Sequence, residues 1–173
     1  MSKAYLYYVI HCMATEPSIT FSKDKNYKIF KNKGWRQVGY SIVINQDGST
    51  HDFIDHNGDD FIQGSEITNG VRGWNSVSKH ISYAGGVDKD NVPKDTRTLS
   101  QYLKMSELVF EEIVNHPEIK ICGHNQFPNV AKACPSFSVE EYLDELMNKY
   151  KLEAKLISLG ADQWFAQAYA IQV

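Results

Sequence analysis

The sequence has no apolar run long enough to cross a membrane. Its longest, Tyr5 to Ile10, falls far short of the roughly 20 residues a span requires. A secretory leader is not expected either: Lys3 precedes that run, but His11 interrupts it and no small-residue cleavage site follows. Cysteine is scarce and odd in number, three in 173 residues, which argues against a disulfide framework and leaves each thiol as core filler, ligand or nucleophile. A basic excess is missing as well. With 18 Lys and Arg against 21 Asp and Glu, the formal net charge is −3, which argues against a dedicated nucleic-acid binder. Internal repeats, linkers and low-complexity tracts are also lacking. What remains, at 42% apolar, is read as one domain that buries about 70% of the surface of its unfolded chain. The expectation is a soluble monomer made in the cytoplasm, with no nucleic-acid partner and no membrane span.

Periodicity and turn chemistry supply the elements. Ala4–Cys12 reads as a first strand, stopped by the polar stretch that contains Pro17. Phe21–Lys33 reads as a helix with Gly34 as its stop. Gly39–Asn45 and His51–Ile54 read as strands joined by the turn that contains Asp47-Gly48. Residues 55–78 read as a long surface loop of the kind that carries function, and Lys79–Val87 as another strand. Thr98 with Gln101 forms a capping box ahead of an apolar stripe of Leu99, Leu103, Phe110 and Ile113. Ile119–Cys122 reads as a short buried strand. Ser138 with Glu141 forms a second box before Val139, Tyr142, Leu143, Leu146 and Met147. In the tail, Leu156–Leu159 and Trp164–Val173 are strand-like pieces.

Three residues suggest chemistry. His11 lies at the C-terminal end of the first strand, His124 follows the strand Ile119–Cys122, and Cys134 lies ten residues further on in the same loop. Ligands gather at the carboxyl ends of strands in such sheets, so the two histidines can converge there. Two imidazoles and a thiolate make three protein ligands with a fourth position left for water, which is the arrangement of a catalytic rather than a structural zinc site. Taken one at a time, a strand-end histidine is by default a hydrogen-bonded structural residue and a single cysteine is core filler. His-x9-Cys spacing does not decide the matter.

Longer motifs do. Val9-Ile10-His11-Cys12-Met13-Ala14-Thr15, Gly34-Trp35-Arg36-Gln37-Val38-Gly39-Tyr40 and Lys132-Ala133-Cys134-Pro135-Ser136-Phe137 resemble the signature segments of the zinc-dependent N-acetylmuramoyl-L-alanine amidases. This is the family of T-seven-type phage lysozymes and peptidoglycan-recognition proteins. The hairpin Asn45–Ser49, the segment Asn69–Ser76 and Gly85-Gly86-Val87-Asp88 follow in the family's order, and the resemblance covers about residues 5 to 147.

The resemblance implies an α/β fold, a single domain with a mixed central β-sheet flanked by helices. It places the catalytic domain in residues 1–150, with a C-terminal extension of unknown role in 151–173. It implies His11, His124 and Cys134 as ligands of Zn2+, Tyr40 as the active-site tyrosine and Lys132 as the lysine beside the metal. The implied reaction is hydrolysis of the amide between N-acetylmuramic acid and L-alanine in bacterial peptidoglycan, with the metal making water a nucleophile near neutral pH. Tyr40 and Lys132 are both candidates to stabilise the oxyanion or to deliver the leaving amine's proton. Arg72, Trp74 and Asn75 are expected to border the substrate groove.

Cys12 and Cys122 are expected in the core. His51, His56, His80 and His116 are expected to be ordinary polar residues. Three positions depart from the family's common pattern. Ser41 stands where many relatives have histidine, Gly70 replaces another histidine, and Ile29-Phe30 replaces a Trp-His pair on the first helix. The absent leader fits a phage or prophage endolysin that reaches the wall after a pore or lysis releases it. The alternatives are a peptidoglycan-binding module without catalysis, and a peptidase that uses Cys134 as nucleophile with a histidine base.

Overall fold

The strand Tyr7–Cys12 (β2) alternates its side chains across the sheet, yet five of its six residues are buried, because both faces are covered. The computed structural model describes residues 2–18 and 21–158. β2 pairs in parallel on one side with Ser78–Tyr83 (β6) and on the other with Lys120–Gly123 (β7). Beyond β6 come Ile42–Ile44 (β3), also parallel, and Thr50–Asp52 (β4), which is antiparallel to β3. The sheet order is therefore β4-β3-β6-β2-β7, the expected mixed sheet. A small antiparallel pair joins Lys3–Ala4 (β1) to Phe61–Ile62 (β5). Two compact units divide the chain, 1–137 and 138–173.

Helices cover both faces of the sheet in the first unit. Ser22 caps Lys23–Asn32 (α1) by accepting the Lys25 N–H at 3.2 Å. Phe30 of α1 packs with Tyr40 and Val43 in one cluster, on the face that carries His11. On the other face, Leu99–Asn115 (α2) faces Tyr8 and Ile42 across a cleft of about 660 Å3, lined also by Lys104, Leu108 and Glu112. In the second unit Val139–Ser158 (α3) begins with the Ser138 hydroxyl accepting the Glu141 N–H at 3.2 Å, and Val139, Tyr142 and Leu146 are buried.

Several expectations need correction. The first strand is broken at Tyr5-Leu6 because the chain changes partner there: the Tyr5 N–H donates to Asp60 O and the Leu6 N–H to Val77 O. The long loop contains β5 and a turn of 3-10 helix at Asn75–Val77. The strand read over Lys79–Val87 ends at Tyr83, short of Val87. In the hairpin between β3 and β4, Asn45 and Ser49 close the turn and Gly48 takes a φ of 85°, which suits glycine. Leu156–Ser158 is helical, not strand-like, because α3 continues to Ser158. Trp164–Val173 lies outside the described residues.

The capping box of α2 forms as read, but its apolar stripe is rotated. The buried face carries Gln101, Met105, Ser106 and Val109, while Leu99 is 64% exposed. Gln101 explains the rotation. Its Oε1 accepts the Thr98 N–H at 3.1 Å, and its Nε2 donates to Ile44 O at 3.2 Å and Ala84 O at 2.9 Å. One buried amide thus satisfies the helix start and two carbonyls at the ends of β3 and β6, so hydrophobicity alone misplaces the face. Gln101→Leu would take this partner from the Thr98 N–H and Ala84 O, and one of two donors from Ile44 O, which keeps the Ala84 N–H. We expect it to lower the unfolding free energy by about 2–4 kcal/mol, read as a lower urea midpoint at unchanged m-value.

Candidate metal centre

The register of the central strands assembles the site. Val9 stands opposite His80 on β6 and Cys122 on β7, and His11 stands opposite Ser82. Paired residues share a face, so His11, His80 and Ser82 point the same way. Ile10 pairs with Gly123, so His124 emerges beside His11 immediately after β7 ends. Their ring centroids are 4.7 Å apart. The loop after His124 folds back through the Asn125 N–H, which donates to Cys134 O at 2.9 Å. The Cys12 N–H reaches Cys134 Sγ at 3.3 Å, and that sulfur lies 3.7 Å from His11 Nδ1.

Among the described residues one cluster of His, Cys, Asp or Glu could hold a metal ion: His11, His124 and Cys134, with donor atoms all within 4.8 Å of one another. Tetrahedral zinc with ordinary bond lengths separates its ligand atoms by about 3.4–3.6 Å, so the sulfur–Nδ1 spacing already suits it and the set fits with slight closure. The donor chemistry, two nitrogens and one sulfur with no carboxylate, also suits zinc rather than a hard cation.

Burial prepares these donors. It lowers His11 well below the usual histidine range, helped by His80, His124 and Lys132. It lowers His124 to about 4, again with Lys132 contributing. Both imidazoles are therefore neutral near pH 7, the form that binds metal. Cys134 is pushed up by its hydrogen bond to the Cys12 thiol and by burial, so its proton must leave when a metal binds.

Tyr40 lies against the site, its ring 4.9 Å from that of His11 and in edge contact with Phe30. Burial, with Cys134 and Cys12 nearby, raises its hydroxyl far above the usual tyrosine range, so it remains a proton-bearing donor. Lys132 is exposed, and its charge is felt by His11, His124 and Cys134.

The groove candidates divide. Trp74 packs edge-on against Tyr7 at 5.4 Å and tilted against Phe127 at 5.5 Å. Asn75 Oδ1 accepts the Val71 N–H at 2.7 Å, which shapes the loop. Arg72 is exposed.

Cys122 is buried in the cluster of Val9, Val71 and Phe127, and burial lifts its thiol to about 12, as a core residue should behave. Cys12 is buried too, but it is also part of the site's margin through Cys134 and through Ser136 Oγ at 3.7 Å. His51, near Phe21 O at 2.8 Å, and His116, 2.7 Å from Asp60 Oδ1, have ordinary structural partners. His56 Nε2 is 2.8 Å from Ser41 Oγ. His80 is the residue that sequence reasoning missed. It is fully buried, and its Nδ1 is 3.0 Å from His11 Nε2. Nothing within the segment Ser78–Tyr83 marks it, because its partner lies 69 residues away.

Known proteins resemble this chain in sequence and in fold. An endolysin of Klebsiella phage KP32 is 27% identical over 136 residues, covering 79% of this chain and 83% of its own. The N-acetylmuramoyl-L-alanine amidase LysC from Clostridium intestinale URNW shares the fold with a TM-score of 0.64 at 18% identity, over 83% of this chain and 85% of its own. The Ph2119 endolysin from a Thermus scotoductus MAT2119 bacteriophage does so with a TM-score of 0.59 at 20% identity, over 82% and 84%. The family profile described as N-acetylmuramoyl-L-alanine amidase matches residues 2–137, which include every residue of the cluster, and the chain belongs to that family.

Proposed function

We propose that the protein hydrolyses the amide between N-acetylmuramic acid and L-alanine in peptidoglycan, as a phage or prophage endolysin, with zinc held by His11, His124 and Cys134. The observation that carries the reading is the convergence of two neutral imidazoles and one thiol at the sheet's end, in a chain of the amidase family. When bound there, zinc supplies Lewis acidity and lowers the pKa of water to roughly 7. In the net reaction water adds at the lactyl carbonyl carbon, the carbon–nitrogen bond breaks, and the alanine nitrogen leaves with an added proton.

The chain's own groups divide the remaining work. Tyr40 is buried, fixed by Phe30 and kept protonated, so its hydroxyl is suited to donate to the developing oxyanion. Lys132 is exposed at the rim, free to reach the leaving nitrogen and to deliver its proton. The loop with Arg72, Trp74 and Asn75 borders the groove: Trp74 and Asn75 hold its shape, and Arg72 is the member available to a glycan or a peptide carboxylate. These groups all fall in the proposed catalytic domain of residues 1–150. No described helix is long and apolar enough to cross a membrane, and the endolysin reading has the protein act on the wall after release.

Mass spectrometry of soluble products from purified peptidoglycan tests the reaction. Stem peptides with a free L-alanine amine should appear with zinc and vanish with a chelator. Cuts within the stem peptide that survive chelation would transfer the assignment to a cysteine peptidase, and absence of products from zinc-loaded protein would leave a binding module.

Two variants test the roles. Cys134→Ser should lose more activity than the roughly 100-fold typical of groups outside the ligand set, together with zinc retention on dialysis. Tyr40→Phe should lower kcat by about 100–1000-fold with little change in KM, as expected when an oxyanion donor is removed. An unchanged kcat would remove Tyr40 from the mechanism.

A further inference from the structure

His80 is fully buried against the proposed ligand His11 and has no part in the reaction described above. Parallel pairing puts it opposite Val9, on the face that also carries His11, and its Nδ1 lies 3.0 Å from His11 Nε2. The other nitrogen of His11, Nδ1, faces Cys134 Sγ at 3.7 Å. One ring nitrogen of His11 thus meets the metal cluster and the other meets His80.

We propose that His80 is a positioning residue that accepts the Nε2–H of His11 at its own Nδ1, holding His11 in the tautomer whose Nδ1 lone pair is turned to the metal. The proposal rests on the assignment of His11 as a zinc ligand. A neutral imidazole carries one proton, so an acceptor at Nε2 leaves Nδ1 bare. With the opposite polarity, His80 donating, the His11 proton would sit on Nδ1, directed at the sulfur, and that nitrogen could not ligate.

Two further observations favour this role. The His80 ring lies directly over Gly70, where an added Cβ would collide with its Nδ1 and Cγ, so backbone walls the ring in. The second nitrogen of His80, Nε2, is buried without a hydrogen-bond partner. An imidazole kept in the core with one nitrogen unsatisfied makes poor filler, since an apolar ring would fill the space without that cost. Its polar contact with a protein group is the one to His11. A metal-bound histidine held through its other nitrogen is the usual way that a ligand ring is oriented.

The full chain, labelled with 15N-histidine and freed of metal, tests the proposal by two-bond 15N–1H correlation. His11 should carry its proton on Nε2. A proton on Nδ1 overturns the proposal whatever the variants do.

His80→Phe keeps a ring of similar size without an acceptor. It should lower zinc affinity by about 10–100-fold in competition with a chromophoric chelator, with His11 signals averaged between tautomers. His80→Gln, which offers an acceptor oxygen, should recover part of that loss. Affinity within about twofold of wild type in folded His80→Phe would overturn the proposal. If His80→Phe does not fold, the wild-type tautomer and the His80→Gln affinity decide. Gly70→Ala should displace the His80 ring and shift the His11 signals in the same sense.

The two readings fail separately. Protein that binds zinc but frees no alanine amine defeats the hydrolase assignment and leaves the His80 measurements intact, whereas an Nδ1-protonated His11 defeats the positioning role and leaves hydrolysis to be decided by the peptidoglycan products.

Discussion

The parallel pairing of β2 with β7, in the register that sets Ile10 beside Gly123, is the constraint on which the centre depends. It delivers His11 and His124 to the same point from segments more than 100 residues apart in sequence. A slip of one residue in β2 would send His11 to the opposite face and bring Cys12 or Ile10 in its place. The register is held because Tyr8, Val9 and Ile10 are almost wholly buried, between 0 and 2% exposed, so a slip would exchange the side chains that fill the two faces. Cys134 then needs no strand of its own. The bond from the Asn125 N–H to its carbonyl and the bond from the Cys12 N–H to its sulfur tie the returning loop to both strand ends.

The same burial that locks the register sets the chemistry. A cluster of histidines on a wet surface would be partly cationic just below neutral pH, and the protons would compete with a metal. Here the lack of solvent lowers His11, His124 and, to about 3, His80, so the nitrogens are free as donors. The effect is opposite in sign for Tyr40 and Cys134, where burial disfavours the anion. Tyrosine thereby stays a hydrogen-bond donor, while the thiol keeps its proton until a metal displaces it. No carboxylate among the described residues enters this cluster, so the thiolate is the one anionic donor it can offer a metal.

Much of this was legible from the sequence. The strand ends put two histidines where ligands gather, the resemblance of the longer segments implied His11, His124 and Cys134 as the set, and the Thr98–Gln101 box is legible from local hydrogen-bond chemistry alone. What could not be read was pairing at a distance. His80 is an unremarked polar residue until β2 and β6 are in register. Gln101 marked the cap, but not that its amide also reaches Ile44 and Ala84, which is why the α2 stripe was placed one face away. Trp74 stands in the loop that the resemblance sets beside the groove, and its packing with Tyr7 and Phe127 requires three separate segments to meet. β5 is two residues long and is defined only by its partner β1.

The three departures from the family's common pattern make sense once their neighbours are known. Phe30, in place of an upstream pair's polar member, stacks on Trp35 and supports the Tyr40 ring edge-on. Ser41 lacks an imidazole but holds that of His56 through its hydroxyl. Gly70 lacks one too, and the space that it leaves against the sheet is occupied by His80. In the last two cases an imidazole from another element meets the position, and at Gly70 that imidazole is the one that also reaches His11. The physical requirement is an oriented donor set in a dry, closed setting. Which strand or loop supplies the supporting ring is secondary, provided that its nitrogen reaches the ligand and its neighbour yields the volume.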